Sequence, residues 1–247
     1  VTVPTKGQPC TGLAMPTLHR LLTCVVPAGS GLNVPLVVTV AGQPVTSTLF
    51  SYAAPEFTQG TLMIVGSGSP VLNGQGVAYV NLINTANTYR VQFSGTAFGT
   101  SAAVTFGPPE NPTLYPCATG VGDVTPTLIQ CMTSIGVGKN LRFMVVSNGV
   151  SSAISTDFMS FPAPTITPSS LNIYGSPGAP GSSKLASTTQ GEEIYFSGNF
   201  YGVGGAYVTV TYGPSGQPTK YACTVSQFYA TNTYMQCKTS PGACRLR

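Results

Sequence analysis

Apolar and polar residues alternate with a period of two along much of the chain. The segments Val91–Ser94 and Tyr207–Tyr212 alternate in this way or are β-branched and aromatic, which is typical of strands rather than helices. Gly, Pro and Asn interrupt such segments roughly every eight to twelve residues. With 29 Gly and 21 Pro in 247 residues, long helices have few places to form. The pattern therefore predicts an all-β protein of short strands.

Six of the seven cysteines fall into three evenly spaced pairs. The members of each pair lie 14 positions apart, and corresponding cysteines recur 107 and then 106 residues later. Because the spacing recurs, the pairing belongs to a repeating unit. We expect three disulfides and hence an extracellular or cell-surface location. The pairs are Cys10 with Cys24, Cys117 with Cys131, and Cys223 with Cys237.

A zinc site is the alternative use of these cysteines. Zinc binding needs clustered ligands, whereas each repeat has only two widely spaced thiols, and the only histidine, His19, has no counterpart in the other repeats. Disulfides are therefore favoured over a metal site. Cys244 is left over, and its partner either lies outside this chain or belongs to another molecule.

The sequence around the cysteine pairs also repeats. The repeating unit is about 110 residues long, and about seven short strands in such a length are the signature of an immunoglobulin-like sandwich. Three matches carry this repeat: Arg90–Gly99 with Ile194–Gly202, Ala103–Pro108 with Thr209–Pro214, and Phe50–Pro55 with Met159–Pro164.

The order of these motifs resembles the IPT/TIG domain, the immunoglobulin-like fold of plexins and certain transcription factors. The motif Phe-Ser-Gly-Asn-Phe-Tyr-Gly at 196–202 is followed by Val-Thr-Tyr-Gly at 210–213, two cysteines, Thr-Ser-Pro-Gly at 239–242, and a closing Phe-Ser-Tyr-x-x-Pro as at 50–55. The resemblance covers essentially the whole chain. Long Gly/Ser/Pro-rich segments at 66–76 and 175–183 and the absence of Trp depart from the family and from antibody domains.

The resemblance implies tandem immunoglobulin-like β-sandwiches (IPT/TIG-like), one complete and two partial. Residues 1–53 correspond to the C-terminal part of a domain, 54–163 to a complete domain, and 164–247 to the N-terminal part of a third. Within them, Gly95 and Gly198 are expected to allow a sharp change of direction at a strand end. Phe98, and either Phe200 or Tyr201, are expected to place an aromatic ring in the core.

The partial repeats leave two interpretations open. The chain is a window of a longer tandem array, or its ends are true ends and residues 1–53 complete the third domain of the next molecule. Half a sandwich has open strand edges, which need a partner. Such head-to-tail self-association does not close on itself and generates a fibre.

Charged residues make up only 6% of the chain, against roughly 25% in an ordinary soluble domain. The formal net charge of +4 is spread thinly, so no basic stripe exists for nucleic acid. No apolar run approaches the roughly 18 to 20 residues that cross a bilayer, so we expect no direct membrane insertion in this segment.

A surface with so little charge needs another polar cover. The chain has no Asn-x-Ser/Thr sequon, since Asn111 precedes a proline. O-linked glycans on the Ser/Thr/Pro-rich stretches 165–170 and 177–189 are therefore a hypothesis. An intact mass equal to the sequence mass would rule them out.

The chain offers no arrangement of residues suited to catalysis. Only two acids, Glu192 and Glu193, are neighbours, and adjacent residues of a strand point to opposite faces. No histidine or carboxylate accompanies a Ser or Cys nucleophile in a motif, and no carboxylate cluster suits calcium. We expect no enzyme activity, no cofactor and no metal site. The acids are Glu56, Glu110, Asp123, Asp157, Glu192 and Glu193.

These observations favour a structural subunit of an extracellular fibre, appendage or coat built from tandem immunoglobulin-like domains. The alternative is a cell-surface receptor or adhesion ectodomain, which the resemblance to plexins implies. A third interpretation is a carbohydrate-binding module, for which some of the 12 tyrosines would supply stacking surfaces.

Overall fold

A computed structural model describes residues 2–3, 8–17, 20–173, 191–202, 207–226 and 230–241. These residues form strands, turns and loops, with no helix among them. The prediction of an all-β, immunoglobulin-like fold is therefore confirmed. The chain divides into two compact units. Unit 1 comprises Val1–Val80, Tyr89–Ser134 and Asn140–Met159, and unit 2 comprises Asn81–Thr88, Ile135–Lys139 and Ser160–Arg247.

The first part of unit 1 contains a small sheet and a separate hairpin. Its strands are β1 (Thr2–Val3), β2 (Gln8–Pro9), β3 (Thr11–Thr17), β4 (Leu21–Val25), β5 (Val34–Val40) and β6 (Gln43–Phe50). The sheet has the order β2-β1-β5-β6, and β3 pairs with β4. The turn between β5 and β6 contains Ala41 and Gly42, whose φ angles are 50° and 82°. Two successive positive φ angles are what a type I′ hairpin turn requires.

Most of a ten-stranded sheet makes up the rest of unit 1. Its strands are β7 (Glu56–Phe57), β8 (Met63–Ile64), β9 (Tyr79–Asn81), β10 (Arg90–Thr96), β11 (Ala103–Gly107), β12 (Tyr115–Ala118), β13 (Leu128–Thr133), β14 (Leu141–Ser147), β15 (Val150–Ser151) and β16 (Phe158–Ser160). The order is β7-β10-β13-β12-β11-β14-β16-β9, with β8 beside β10 and β15 beside β14. Every second residue of β14 is buried, so its period of two follows the two faces of the sheet.

Four phenylalanines form the centre of unit 1. The ring of Phe143 lies 5.4 Å from Phe93 and 5.7 Å from Phe106. Phe98 meets Phe93 edge to face at 6.0 Å. All four are almost fully buried, and burying each ring contributes about 2–3 kcal/mol.

Unit 2 repeats the front of this sheet. Its strands are β17 (Thr165–Ile166), β18 (Asn172–Ile173), β19 (Glu193–Asn199), β20 (Val210–Tyr212), β21 (Tyr221–Val225) and β22 (Tyr234–Thr239), in the order β17-β19-β22-β21-β20 with β18 beside β19. Phe196, Tyr201 and Met235 are buried at its centre. Phe196 and Tyr201 meet edge to face at 5.8 Å, as Phe93 and Phe98 do in unit 1.

Corresponding turns of the first and second repeats share their backbone conformation. Asn33 and Asn140, 107 positions apart, have φ angles of 52° and 55°. The amides of Tyr52 and Phe161 donate to the carbonyls of Gly31 and Gly138 respectively, each at 2.9 Å. These turn positions therefore adopt the same conformation in both repeats. The domain boundaries at 53/54 and 163/164 stay a prediction.

The described residues contain three disulfides. Cys10–Cys24, Cys117–Cys131 and Cys223–Cys237 join cysteines whose Cα atoms lie 5.6, 5.4 and 5.5 Å apart. The second joins β12 to β13 and the third joins β21 to β22. Cys244 and His19 lie outside the described residues.

The structure distinguishes Tyr201 from Phe200 as the core aromatic of the third repeat. Phe200 is half-buried with a φ of 65°, close to the 57° of Ala97 at the same repeat position, whereas Tyr201 is buried like Phe98. Gly95 and Gly198 were expected to allow a sharp change of direction at a strand end, and this explanation is wrong. Neither has a positive φ; instead the missing Cβ makes room for the ring of Phe98 or Tyr201.

Candidate functional site

The most buried acid of unit 1, Asp157, binds backbone amides. The residue is only 4% exposed. Oδ1 accepts hydrogen bonds from the amides of Gly60 and Ala78 at 2.8 and 3.0 Å. Oδ2 accepts from the amides of Thr61 and Leu62 at 2.9 and 3.1 Å. Both carboxylate oxygens are thus engaged in joining the 60–62 loop, Ala78 and the segment before β16, which is a structural task.

A second acid, Asp123, is held in a surface pair. Its carboxylate contacts the guanidinium of Arg90 and accepts the amide of Gly120 at 2.7 Å. Arg90 also donates to Gln130 Oε1 at 2.9 Å. This network closes the 120–123 turn over β10 and β13. Within the part of the chain that the structure describes, no group of three or more His, Cys, Asp or Glu residues is placed to hold a metal ion.

The hairpin β3–β4 exposes apolar side chains, one of them at a position that is buried in the other repeats. Leu22 occupies the repeat position of Ile129 and Met235. It is 37% exposed, whereas Ile129 and Met235 are 0% and 1% exposed. In the other repeats the strand carrying this residue pairs on its outer side with β10 or β19, but among the described residues β4 pairs only with β3. Further large apolar residues exposed on the hairpin are Leu13, Met15, Leu21 and Val25.

A second open edge lies in unit 2, along β20. Among the described residues β20 pairs only with β21. Its counterpart β11 has β12 on one side and β14 on the other, with Thr105 opposite Met144. An unpaired edge presents free backbone donors and acceptors to another strand.

A cleft of about 400 Å³ opens beside β20 within unit 2. Its described walls are largely apolar and aromatic, and Lys139 is the one charged residue among them. The lining residues are Val137, Gly138, Lys139, Phe161, Pro162, Ala163, Pro164, Phe200, Tyr201, Tyr207, Val208 and Thr209. An apolar concave surface next to an open strand edge is suited to a strand that carries an apolar side chain into it.

Tyr201 separates this cleft from the core of unit 2. Its hydroxyl is buried and has no hydrogen-bond partner among the described residues. Burial raises the pKa of the Tyr201 hydroxyl above its ordinary value of 10.0. The folded state therefore favours the neutral phenol. Below about pH 10 the folded state keeps the stability that comes from this preference for the neutral phenol. That stability is lost as the pH rises through the pKa of the folded state.

We expect Tyr201→Phe to raise the free energy of unfolding of unit 2 by about 1 kcal/mol, because it removes a buried hydroxyl that lacks a partner. The gain should grow above about pH 10, where only the wild-type protein loses stability through this group. Urea denaturation at pH 7 and pH 10.5 would measure both effects.

Tyr212→Phe is the matched control. The Tyr212 hydroxyl donates to the Ser240 carbonyl at 2.7 Å, so the same change there should cost about 1 kcal/mol. A loss of stability in Tyr201→Phe would contradict the argument.

The sequence did not predict that the Asp157 carboxylate binds four backbone amides, nor did it predict the cleft. No motif marks a buried carboxylate that binds loop amides 79 to 97 positions away. A signal for the cleft did exist, because Val137 stands where the first repeat has Ser30, and a change from polar to apolar at a turn indicates a different neighbour.

No family model and no curated protein matches the chain. Among solved structures, the surface glycan-binding protein PbSGBP-B from Prevotella bryantii is 11% identical, with a TM-score of 0.40, over 78% of this chain and 38% of that one. Two structures of the plexin A4 extracellular region are 12% and 13% identical, with TM-scores of 0.29 and 0.28, over 75% and 81% of this chain. The chain spans only 15% and 13% of those plexin chains.

The described residues contain no helix long and apolar enough to cross a membrane. The three disulfides indicate an extracellular location.

Proposed function

We propose that the protein is a structural subunit of an extracellular fibre, appendage or coat, that its copies associate with one another, and that it has no catalytic activity. The observation that carries the proposal is the tandem repeat, in which each repeat has its own disulfide and corresponding turns share their backbone conformation. The hairpin β3–β4 also exposes several large apolar side chains, and exposed clusters of this kind mark interaction surfaces.

The composition supports the same proposal. Only 6% of the residues are charged, so the mutual repulsion that keeps ordinary proteins apart is weak. Intra-repeat disulfides stabilise each small sandwich where no reducing system protects thiols. Both properties suit a protein that is packed densely against its own copies outside the cell. Membership of the IPT/TIG family and O-linked glycans stay predictions.

We expect native material to contain polymers with an axial repeat set by whole domains, visible by negative-stain electron microscopy. The purified chain should also show concentration-dependent association in sedimentation velocity. Val25→Asp, on the exposed hairpin, should weaken this association because it places a charge in an apolar contact. Ile83→Asp makes the same change at an exposed position elsewhere and should leave association unchanged.

A chain that stays monomeric at all concentrations, in material without polymers, would overturn the proposal. That outcome would favour the alternative of a receptor or adhesion ectodomain. Retention on polysaccharide columns, lost on mutation of exposed tyrosines, would instead favour a carbohydrate-binding module.

A further inference from the structure

Two tyrosines lie side by side on the outer face of the sheet in unit 2. Tyr195 of β19 and Tyr234 of β22 have ring centroids 5.8 Å apart and ring planes 29° apart. Their neighbours along the strands, Phe196 and Met235, are buried in the core, so the tyrosines point to the opposite face of the sheet. Both tyrosines are half-buried, and each ring has one face that the other ring does not cover.

The second repeat shows that the fold does not need aromatic residues at these positions. Gln92 and Leu128 stand there in place of Tyr195 and Tyr234, although β10 and β13 pair in the same register as β19 and β22. Gln92 and Leu128 are also half-buried in a repeat that contains the strands after β13, because β14 and β16 lie beyond β11 in the sheet order. The face is therefore open independently of those strands, and the fold does not explain the two aromatic rings.

A polar side chain lies at the base of the tyrosine pair. Gln236 is directly opposite Tyr195 and is only 5% exposed. Its Nε2 donates to Glu193 Oε2 at 2.9 Å, whereas its Oε1 accepts no hydrogen bond from any described residue. Because a nearly buried acceptor without a partner is costly, this oxygen is suited to a hydroxyl group of a ligand.

The corresponding amide of the second repeat is engaged by protein groups on both sides. Gln130 Oε1 accepts from Arg90 at 2.9 Å, and Gln130 Nε2 donates to Gln92 at 3.1 Å. In the third repeat Glu193 occupies the position of Arg90, which removes a donor and adds an acceptor. The same face thus changes from a closed polar network to aromatic rings beside hydrogen-bond acceptors.

We propose that this face of unit 2 binds a neutral polysaccharide. A sugar ring has a C–H face that packs on a tyrosine ring and hydroxyl groups at its rim that donate hydrogen bonds. Tyr195 and Tyr234 bind the C–H faces, while hydroxyl groups donate to Gln236 Oε1 and to the Glu193 carboxylate. Lys238 lies directly opposite Glu193, so the formal charges of the site cancel and favour an uncharged polymer. This inference goes beyond the proposed function and does not depend on self-association.

A proline-rich peptide is the other ligand that commonly binds to exposed aromatic rings. Its prolines have carbonyl acceptors but no N–H donors. The polar groups beside the tyrosines, Gln236 Oε1 and the Glu193 carboxylate, are themselves acceptors. The site therefore requires a ligand rich in donors, which favours a sugar over such a peptide.

Native gel electrophoresis through gels that contain xylan, mannan, laminarin or hydroxyethylcellulose tests the proposal. At least one of these polymers should retard the chain. Tyr195→Gln and Tyr234→Leu should each raise the Kd for that polymer by about tenfold or more, because each removes one stacking ring. Both variants introduce the residue that the second repeat has at the same position, so the sheet accommodates them. Circular dichroism would verify that both are folded.

Tyr207→Ser is the matched control. Tyr207 is 59% exposed in the same unit, and its counterpart in the second repeat is Ser101. Its removal should change the Kd by less than about twofold. A second measurement uses the absence of Trp from the chain: tyrosine fluorescence should change on titration with the retarding polymer, and the change should be smaller in Tyr195→Gln than in Tyr207→Ser.

Three results would overturn the inference. They are no retardation by any of the four polymers, equal effects of all three substitutions, and binding of a polyproline peptide in place of the polysaccharides. Retardation only by the polyanions heparin and alginate would also overturn it, since charge and not stacking would then drive binding. Sugar binding by a chain that stays monomeric would overturn the fibre proposal alone, whereas polymers that bind no sugar would overturn this inference alone.

Discussion

Asp157→Asn is expected to lower the free energy of unfolding of unit 1 by about 3 kcal/mol. The carboxylate accepts four backbone amides in a buried site. Asparagine keeps the shape but turns an NH₂ group toward two amide donors, which then lose their acceptor. Each buried donor without a partner costs about 1–3 kcal/mol, partly relieved by relaxation. Urea denaturation followed by circular dichroism would measure the loss.

Hydrogen exchange provides a more local measurement of the same variant. The amides of Gly60, Thr61, Leu62 and Ala78 should exchange faster, whereas amides of unit 2 should not change. Asp123→Asn is the matched control, since its carboxylate makes a surface ion pair with Arg90 and such pairs are worth at most about 1 kcal/mol. If both variants lowered the free energy of unfolding by the same amount, the four hydrogen bonds to Asp157 would not contribute strongly to the stability of unit 1.

Much of the fold follows from local sequence. The period of two in β14, the cysteine spacing and the turn glycines each specify a structure within a few residues, so strands, disulfides and turns could be expected. Tyr201 could not be separated from Phe200 by pattern, because both are aromatic. The positive φ of Phe200, which turns the chain so that the next residue enters the core, decides between them.

The candidate site depends on contacts between distant segments, and this is why the sequence alone did not predict it. The cleft combines residues from 137–139, 161–164, 200–201 and 207–209, which no short motif joins. Comparison between repeats does reveal it once the structure shows which positions touch. Ser30 and Asn148 form a polar pair, whereas Val137, at the repeat position of Ser30, lines the cleft.

Gly95→Ala is expected to destabilise unit 1 by at least about 3 kcal/mol, because the added methyl group meets backbone that cannot move alone. A Cβ at this position would lie closer than 3.0 Å to the carbonyl oxygen of Glu56 and to the ring of Phe98. The ring could shift at the cost of strain in the core, but Glu56 belongs to β7, which pairs with β10 at Thr96. The edge strand β7 must therefore separate from β10. The Thr58 amide, which donates to the Ser94 carbonyl, should then exchange faster with solvent.

Gly74→Ala is the control. A Cβ at position 74 meets nothing within 4 Å, so the free energy of unfolding should change by less than about 0.5 kcal/mol. If Gly95→Ala were equally neutral, the close approach of the Glu56 carbonyl and the Phe98 ring to β10 would not be the reason for glycine at this position.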